Sequence, residues 1–220
     1  MATGTSHDGR VGTARLGRPP AGDSAATRGR IVGAARAAFA DMGYAATTNR
    51  VVARGAGVTT GALYHYFGSK LDLYLAVYDD VQVTVEARFA TAIEHTATFV
   101  ERLDALLDAA HELNRDDPAL ARFLGSVRVD ARRDPELAAA LRGGRKWSEF
   151  YDGIVDLGVS TGEIDPAARD AVRALVRTML IGLTDAVSGD AAVHRLAVDA
   201  LKALLAGTLL RPAGRRPEQY

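Results

Sequence analysis

The apolar residues of this chain recur every three or four positions over most of its length, which is the spacing of amphipathic α-helices. The first such series comprises Ile31, Ala34, Ala35, Ala38, Phe39 and Met42. Gly43 follows this series directly. Helices commonly end with a residue in the left-handed conformation, which glycine adopts without steric penalty. We therefore expect a first helix that ends near Gly43.

A second long series begins after Ser69 and predicts a helix of about six turns. Its apolar positions are Leu71, Tyr74, Tyr78, Val81, Val85, Phe89 and Ile93. Ser69 followed three residues later by Asp72 is a capping signature, because the serine oxygen can accept a hydrogen bond from a free N–H group of the first turn. A helix of this length can join two domains.

Three Asp-Pro pairs mark further helix starts, at Asp117-Pro118, Asp134-Pro135 and Asp165-Pro166. The aspartate caps the helix, and proline suits the first helical position because the N–H group there has no intrahelical partner. The last two predicted helices, over 168–183 and 193–205, carry wide apolar stripes. Since no segment of five or more residues alternates apolar and polar positions between turn signals, we predict an all-α fold.

The composition excludes several classes of site. The 220 residues include no Cys, so a disulfide, a Cys-ligated zinc site and a thiol nucleophile are excluded. The longest apolar stretches, around 174–183 and 203–210, are too short and too interrupted to span a membrane. The N-terminus lacks the apolar centre of a signal peptide, and we therefore expect a cytoplasmic location.

Charge is distributed unequally along the chain, although its net value is zero. Residues 1–70 carry nine Lys and Arg against three Asp and Glu, whereas residues 71–220 carry an equal excess of acidic residues. A basic N-terminal part favours a polyanionic partner, because each phosphate that it neutralises releases counterions.

Residues 43–70 contain the motif on which the functional prediction depends. They read as two short helices around a tight turn at Gly57, and Thr47 or Thr48 can cap the first of these helices. The residues expected to anchor the two helices in the core are Val52, Ala53, Val58, Leu63 and Phe67. The residues left on the outside are Thr60, Gly61, Tyr64 and His65. In a helix-turn-helix, the N-terminal residues of the second helix reach base edges in the major groove of DNA.

This segment resembles the DNA-binding domain of the TetR family of bacterial transcriptional regulators over about residues 28–80. The resemblance is carried by Ala35–Phe39 with Gly43-Tyr44, by Ala56–Thr59, and by Gly61–Phe67 followed by Ser69-Lys70. It implies base contacts by Arg50, Thr60, Gly61, Ala62 and Tyr64. It implies contacts with the sugar-phosphate backbone by Thr48, His65, Tyr66 and Lys70. Two positions depart from the family pattern, since Asn49 stands where an apolar residue is common and Val51 where an acidic residue is common.

The resemblance also implies the function of the remaining chain. Family members are usually homodimers joined through their last two helices, and a small molecule bound among the middle helices changes the spacing of the two recognition helices. We therefore predict a transcriptional regulator that binds a palindromic double-stranded DNA operator as a homodimer and is released by a small organic effector. A repressor is the first interpretation, and an activator or dual regulator is the alternative, because the sign of regulation depends on where the operator lies relative to a promoter. No cofactor and no enzymatic activity are expected.

Candidate effector and dimer residues follow from their positions on the later helices. The side chains expected to line an effector pocket are Tyr78, Phe89, His111, Phe123, Trp147, Phe150, Tyr151 and Met179. The positions expected to meet a second subunit are Leu175, Met179, Leu183, Leu196, Ala200, Leu201 and Leu204. An apolar face shared between two chains gives a four-helix interface. No metal site is expected, because an H-E-x-x-H site at His111 would need a second histidine where Arg115 stands.

The sequence thus predicts a three-helix helix-turn-helix domain over 23–68 and a helical bundle for effector binding and dimerisation over 69–210. A disordered basic arm over 1–22 and a disordered tail over 211–220 flank them. The arm includes Arg15–Pro20, which is similar to an AT-hook and has a plain basic tail as its alternative reading.

Two other classes of function stay open at this point. An enzyme is one, although no nucleophile elbow, phosphate loop or dinucleotide fingerprint is present. A helical interaction protein or architectural DNA binder without an effector is the other. Saturable binding of a small molecule that weakens DNA affinity separates the ligand-responsive regulator from both.

Overall fold

The computed structural model describes residues 21–142, 146–187 and 190–210, and in these ranges it contains helices and loops but no strand. The first five helices are α1 (Ala21–Ala46), α2 (Asn49–Gly55), α3 (Thr60–Tyr66), α4 (Lys70–Ile93) and α5 (Phe99–Asp116). They are followed by α6 (Pro118–Arg133), α7 (Pro135–Leu141), α8 (Lys146–Ser160), a 3-10 turn (Pro166–Ala168), α9 (Arg169–Val187) and α10 (Ala191–Leu205). The predicted all-α fold is confirmed.

The predicted arm and tail fall largely beyond this part of the chain. Of the arm over 1–22, only positions 21 and 22 are described, and they open α1. The whole of the tail over 211–220 lies outside the described residues, as does the segment similar to an AT-hook. None of the helices described is long and apolar enough to cross a membrane.

The helices begin and end at the signals that the sequence carries. Ser69 Oγ accepts a hydrogen bond from the backbone N–H of Asp72 at 3.0 Å and so caps α4. The carboxylates that cap α6, α7 and the 3-10 turn in the same way belong to Asp117, Asp134 and Asp165. Gly43 has a φ of +75° and interrupts the regular helix of α1, as its position predicted. Each side-chain cap contributes about 1 kcal/mol to helix stability.

The helix-turn-helix shares one continuous core with the rest of the chain, because α1 packs extensively on both α6 and α4. An aromatic cluster joins these helices. The ring of Tyr74 lies 4.9 Å from that of Phe39, 5.1 Å from that of Tyr44 and 5.2 Å from that of Phe123, measured between centroids. Edge-to-face aromatic pairs at such distances add to the stabilisation that burial provides. The cluster therefore packs α1, α4 and α6 against one another.

Ion pairs fix α10 on α5. Lys202 Nζ lies 2.9 Å from a carboxylate oxygen of Asp104 and 2.6 Å from one of Asp108, and Arg195 lies 3.1 Å from Asp108. The carboxylates are about half exposed, so each pair adds little to the free energy of unfolding. They lie on the side of α10 that faces α5.

Gly158 leaves room only for a hydrogen atom where α8 meets the first turn of α5. A Cβ atom at this position would lie 2.4 Å from Ile164 Cδ1 and 2.9 Å from Phe99 Cβ. We expect Gly158→Ala to lower the free energy of unfolding by about 1–3 kcal/mol, because the added methyl group overpacks the contact. Urea unfolding followed by circular dichroism measures the change.

Gly153→Ala on the same helix is the matched control. A Cβ at Gly153 would meet no atom within 4 Å. Alanine also has a higher helix propensity than glycine, so this variant should be as stable as the parent or more stable. Equal destabilisation by the two substitutions would contradict the close contact at Gly158.

Candidate DNA-binding face and effector cavity

Hydroxyl caps and one glycine fix the geometry of the helix-turn-helix. At the start of α2, Thr48 Oγ1 accepts a hydrogen bond from the N–H of Val51 at 3.3 Å. At the start of α3, Thr59 Oγ1 accepts one from the N–H of Ala62 at 3.1 Å. Gly57 turns the chain between the two helices with a φ of +67°, a conformation that other residues rarely adopt.

The inner faces of α2 and α3 reach the core as the sequence predicted. The side chains buried there are Val52, Ala53, Leu63 and Phe67, and Val58 is half-buried beside them. Thr47 is also buried, and its hydroxyl donates to the carbonyl oxygens of Gly43 at 2.8 Å and Ala38 at 3.2 Å. Of the two candidate caps, Thr48 therefore caps α2 and Thr47 ties the chain to the end of α1.

The outer face of α3 presents several of the predicted DNA contacts to solvent. Gly61, Tyr64 and His65 are exposed, and the large side chain of Tyr64 is 52 % exposed. The predicted residues that are half-buried are Thr60, Ala62 and Tyr66. An exposed aromatic side chain on a helix whose opposite face is fixed in the core is well placed to contact a partner.

The outer face of α2 is basic. Thr48 and Arg50 are exposed, and Arg54 follows Arg50 by one helical turn, which puts both guanidinium groups on one side of the helix. Arg54 was not among the predicted contacts, although its position four residues after Arg50 could have indicated that it lies on the same face. Of the two residues that depart from the family pattern, Val51 is exposed, and Asn49 is half-buried with no hydrogen-bond partner for Oδ1 among the described residues.

Lys70, a predicted phosphate contact, is engaged inside the protein. Its Nζ donates to the carbonyl oxygens of Tyr44 at 2.9 Å and Ala45 at 3.4 Å. The same ammonium group lies 4.3 Å from the centroid of the Tyr44 ring, within the range of a cation–π interaction. Lys70 thus stabilises the end of α1, and any phosphate contact by this residue would come in addition.

Asp130 of α6 connects α6 to the helix-turn-helix. Its buried carboxylate accepts hydrogen bonds from the backbone N–H of Tyr44 at 3.1 Å and from the hydroxyl of Tyr74 at 3.4 Å. Burial, and then the negative charge of Asp130, raise the pKa of Tyr74 far above its ordinary value, so this phenol remains a donor. A second tie is the ion pair between Arg122 and Asp41 at 3.3 Å. Both join α6 to the last part of α1.

A cavity of about 440 Å³ lies among α4, α5, α6, α8, α9 and α10. This volume is within the range of small-molecule sites. Four of the predicted pocket residues line it, namely Tyr78, Phe89, Trp147 and Tyr151. The other four lie elsewhere: Phe123 is in the aromatic cluster with Tyr74, Phe150 stacks on Phe89, His111 packs against His194, and Met179 packs on the core.

The polar residues of the cavity wall that were not predicted are Gln82, Asn114, Arg128, Arg177, Thr184 and His194. His194 precedes the buried Val198 by four residues, so the sequence could have indicated that it lies on the inner face of α10. The two arginines gave no such signal, because a charged residue on a helix is usually a solvated one. Burial raises the pKa of the Tyr151 phenol, and the positive charges of Arg177 and Arg128 oppose that rise.

Exposed apolar side chains cluster on α9 and α10. Leu196 is 71 % exposed, and Leu175 and Leu204 are about half exposed. Val193, Leu196, Ala200 and Leu204 recur at three and four residues and so share one face of α10. The remaining predicted interface residues are less accessible: Met179 and Leu201 are half-buried, and Leu183 is buried.

Comparisons with known proteins agree with this structure. The family model for bacterial regulatory proteins of the tetR family matches residues 31–77, which span the helix-turn-helix. The HTH-type transcriptional regulator UidR of Escherichia coli (strain K12) is 27 % identical over 189 residues, which cover 83 % of this chain and 93 % of UidR. The HTH-type transcriptional repressor KstR2 of Mycobacterium tuberculosis (strain ATCC 25618 / H37Rv) is 37 % identical over 92 residues, 42 % of this chain and 46 % of KstR2.

A solved structure shows the same fold beyond the DNA-binding part. The crystal structure of the transcriptional regulator FadR from Bacillus subtilis in complex with stearoyl-CoA gives a TM-score of 0.66 at 22 % identity. The similarity covers 79 % of this chain and 97 % of FadR. These relatives are transcriptional regulators by name, so the chain is a regulator and not an enzyme. Its helix-turn-helix matches the TetR family of bacterial regulators, and its similarity to the regulator UidR extends over most of the chain.

Proposed function

We propose that this regulator is a repressor that binds a palindromic double-stranded DNA operator as a homodimer and is released by a small organic effector. The observation that carries the proposal is the exposed outer face of α3, on a helix whose other face is fixed in the core. Such a helix fits the major groove and meets base edges there. The similarity to KstR2, which is named a repressor, supports repression as the mode of regulation.

In the proposed complex, the two helices divide the DNA contacts. The residues that contact bases are Arg50, Thr60, Gly61, Ala62 and Tyr64. The residues that contact the sugar-phosphate backbone are Thr48, His65, Tyr66 and Lys70. Phosphate contacts position the protein, whereas base contacts give sequence specificity. We accordingly assign DNA binding to residues 23–68, and effector binding and dimerisation to residues 69–210.

The operator is the first part of the proposal to test. Genomic DNA fragments bound by the purified protein are selected and sequenced, and the recovered site is measured again at two salt concentrations. We expect a short inverted repeat occupied by two subunits, with an affinity that falls as salt rises. Recovery of no enriched sequence would contradict the proposal and indicate a non-specific DNA binder.

The contacts of α6 provide a route from effector to DNA. This helix lines the cavity with Leu124 and Arg128, and two residues later Asp130 holds the N–H of Tyr44 at the end of α1. A ligand that prefers one position of α6 therefore favours one position of the helix-turn-helix. Release is then a shift between two populations, set by the difference in the ligand's affinity for them. The structure of FadR in complex with stearoyl-CoA supports the binding of an organic ligand by a regulator of this fold.

The dimer is tested at Leu196, whose side chain is the most exposed of the predicted interface leucines. We expect Leu196→Asp to raise the dimer dissociation constant more than about tenfold, because one unpaired carboxylate from each subunit would be buried. Analytical ultracentrifugation measures the change. Val100→Asp, on the exposed surface of α5, is the matched control and should leave the dimer intact. A Leu196→Asp variant that remains dimeric would place the interface elsewhere.

A further inference from the structure

Among the described residues that line the cavity, every Phe, Tyr and Trp belongs to one of two neighbouring helices. Tyr78 and Phe89 lie on α4, and Trp147 and Tyr151 lie on α8. The ring centroid of Trp147 is 6.2 Å from that of Phe89 and 6.1 Å from that of Tyr151. Trp147 Nε1 also donates a hydrogen bond at 2.5 Å to Oε1 of Gln82, which lies one helical turn after Tyr78. The four rings therefore form one continuous surface, the aromatic wall.

Phe150 supports the aromatic wall without lining the cavity itself. Its ring stacks on that of Phe89, with 5.8 Å between the centroids and 23° between the planes. It lies 5.3 Å from the ring of Trp147 and 5.8 Å from that of Tyr151, in edge-to-face arrangements. Rings packed in this way are restricted in their rotamers, so they lose little conformational entropy when a ligand binds. The aromatic wall is therefore preorganised.

The apolar side chains that α5, α6 and α9 contribute to the cavity are aliphatic. They include Leu113, Leu124 and Leu180. Burial against aliphatic side chains is non-directional, so these helices accept an alkyl chain and a flat ring alike. Aromatic rings are more selective, because a pair of rings in offset-stacked or edge-to-face geometry gains stabilisation beyond the burial of its surface. The aromatic wall is therefore the part of the cavity that can discriminate between ligands by their shape and unsaturation.

Tyr78 adds a hydrogen-bond donor to the aromatic wall. Its side chain is half-buried and lines the cavity. Burial raises the pKa of this phenol, so the group keeps its proton at neutral pH and can donate. A ligand that fills the cavity excludes water from this hydroxyl group, and an oxygen acceptor on the ligand would replace the lost hydrogen bond. The few polar groups of an apolar site fix the orientation of its ligand in this way.

We propose that the cavity binds a planar aromatic ring system that packs against the aromatic wall and accepts a hydrogen bond from Tyr78. This inference rests on the proposed function, since such a ligand would be the effector of the regulator. A fused bicyclic ketone is the simplest compound that carries both features. Saturating its rings removes the first feature, and replacing its carbonyl oxygen removes the second.

Isothermal titration calorimetry of the full-length protein without DNA measures the binding of three probes. They are 2-acetylnaphthalene, 2-acetyldecalin, which has the same skeleton with saturated rings, and 2-ethylnaphthalene, which lacks the carbonyl oxygen. We expect 2-acetylnaphthalene to bind about tenfold more tightly than 2-acetyldecalin, because only flat rings pair with the aromatic wall. It should bind about fivefold more tightly than 2-ethylnaphthalene, which leaves the donor of Tyr78 without an acceptor. Equal or tighter binding of 2-acetyldecalin, or no saturable binding of either naphthalene, would overturn the proposal.

Trp147→Leu tests the aromatic wall. It should reduce the preference for 2-acetylnaphthalene over 2-acetyldecalin to about threefold or less, because one ring of the wall is lost. Binding of 2-acetyldecalin within about twofold of the parent confirms that the variant is folded. Phe89→Leu removes a neighbouring ring and should shift the preference in the same direction. A preference that neither substitution reduces would overturn the assignment of the aromatic wall.

Tyr78→Phe tests the hydrogen bond, because it removes the hydroxyl group and keeps the ring. It should make 2-acetylnaphthalene and 2-ethylnaphthalene bind about equally, with the affinity for 2-ethylnaphthalene unchanged. The matched control is Tyr74→Phe, which removes a phenol one turn earlier on α4 from a residue that does not line the cavity. This control should leave the ratio of the two affinities as it is in the parent. A ratio that also survives Tyr78→Phe would overturn the role of Tyr78.

These titrations involve no DNA, so their failure and the failure of the operator selection are separate results. A naphthalene ketone that binds as expected but leaves the affinity for the selected operator unchanged would contradict release by an effector in the proposed function. The ligand class inferred for the cavity would then still stand.

Discussion

Asp130→Ala is expected to lower the free energy of unfolding by about 2–6 kcal/mol, the largest stability effect of any substitution considered for this chain. The variant leaves two buried donors, the N–H of Tyr44 and the hydroxyl of Tyr74, without their acceptor. Each unsatisfied donor costs about 1–3 kcal/mol. Urea unfolding measures the loss, and operator binding should weaken as well, because the end of α1 loses its tie to α6.

Asp130→Asn is the matched control for this substitution. It removes the charge but keeps a carbonyl oxygen that can accept from Tyr44, so it should recover at least half of the lost stability. Operator affinities of both variants are compared at a temperature where both are folded. If the alanine and asparagine variants are equally stable, the hydrogen bonds from Asp130 do not hold α1 on α6.

The helices of this fold could be predicted because their signals are local. Ser69 and the three Asp-Pro pairs occupy the caps that their side chains suggested, and Gly43 has the positive φ that ends a helix. A cap depends on a few neighbouring residues, so the chain specifies it before any tertiary contact forms. The buried face of the helix-turn-helix could also be predicted, because the spacing of apolar residues along a helix is likewise a local signal.

The residues that line the cavity could be predicted only in part, because helical periodicity identifies an apolar stripe but not what packs against it. Phe123 and Tyr151 are both buried aromatic residues, yet Phe123 packs between helices while Tyr151 faces the cavity. Arg128 and Arg177 are exposed, as charged residues on helices usually are, and yet they also line the cavity. Which direction a helix face takes is decided by packing among distant segments, and a single sequence does not encode that locally.

For the same reason, the sequence alone does not distinguish leucines of the last two helices that are buried within the subunit from those that face outward. Leu183 and Leu196 both belong to wide apolar stripes, but Leu183 is buried within the subunit and Leu196 faces outward. A wide stripe covers more than one contact, since part of it fills the subunit core and part remains for another surface. Only the rotation of each helix in the folded subunit distinguishes the two parts.

Tyr64→Ala is expected to weaken binding to the selected operator by about tenfold to a hundredfold, since each subunit of the dimer loses a contact of about 1 kcal/mol. Tyr64 is exposed on α3, so the free energy of unfolding should change by less than about 0.5 kcal/mol. Fluorescence anisotropy with the labelled operator measures affinity, and circular dichroism measures helicity. Unchanged affinity would move the DNA-binding face away from α3.

Tyr64→Phe and Lys70→Ala complete this test. The phenylalanine variant keeps the ring, so it separates a hydroxyl contact with phosphate from packing against a thymine methyl group. Lys70→Ala should weaken operator and unrelated DNA alike, and should also lower stability, because Nζ no longer bonds the carbonyl of Tyr44. A Tyr64→Ala variant that behaves like Lys70→Ala, losing stability and affinity for all DNA together, would show that Tyr64 supports the fold and leave sequence readout to Arg50 and Thr60.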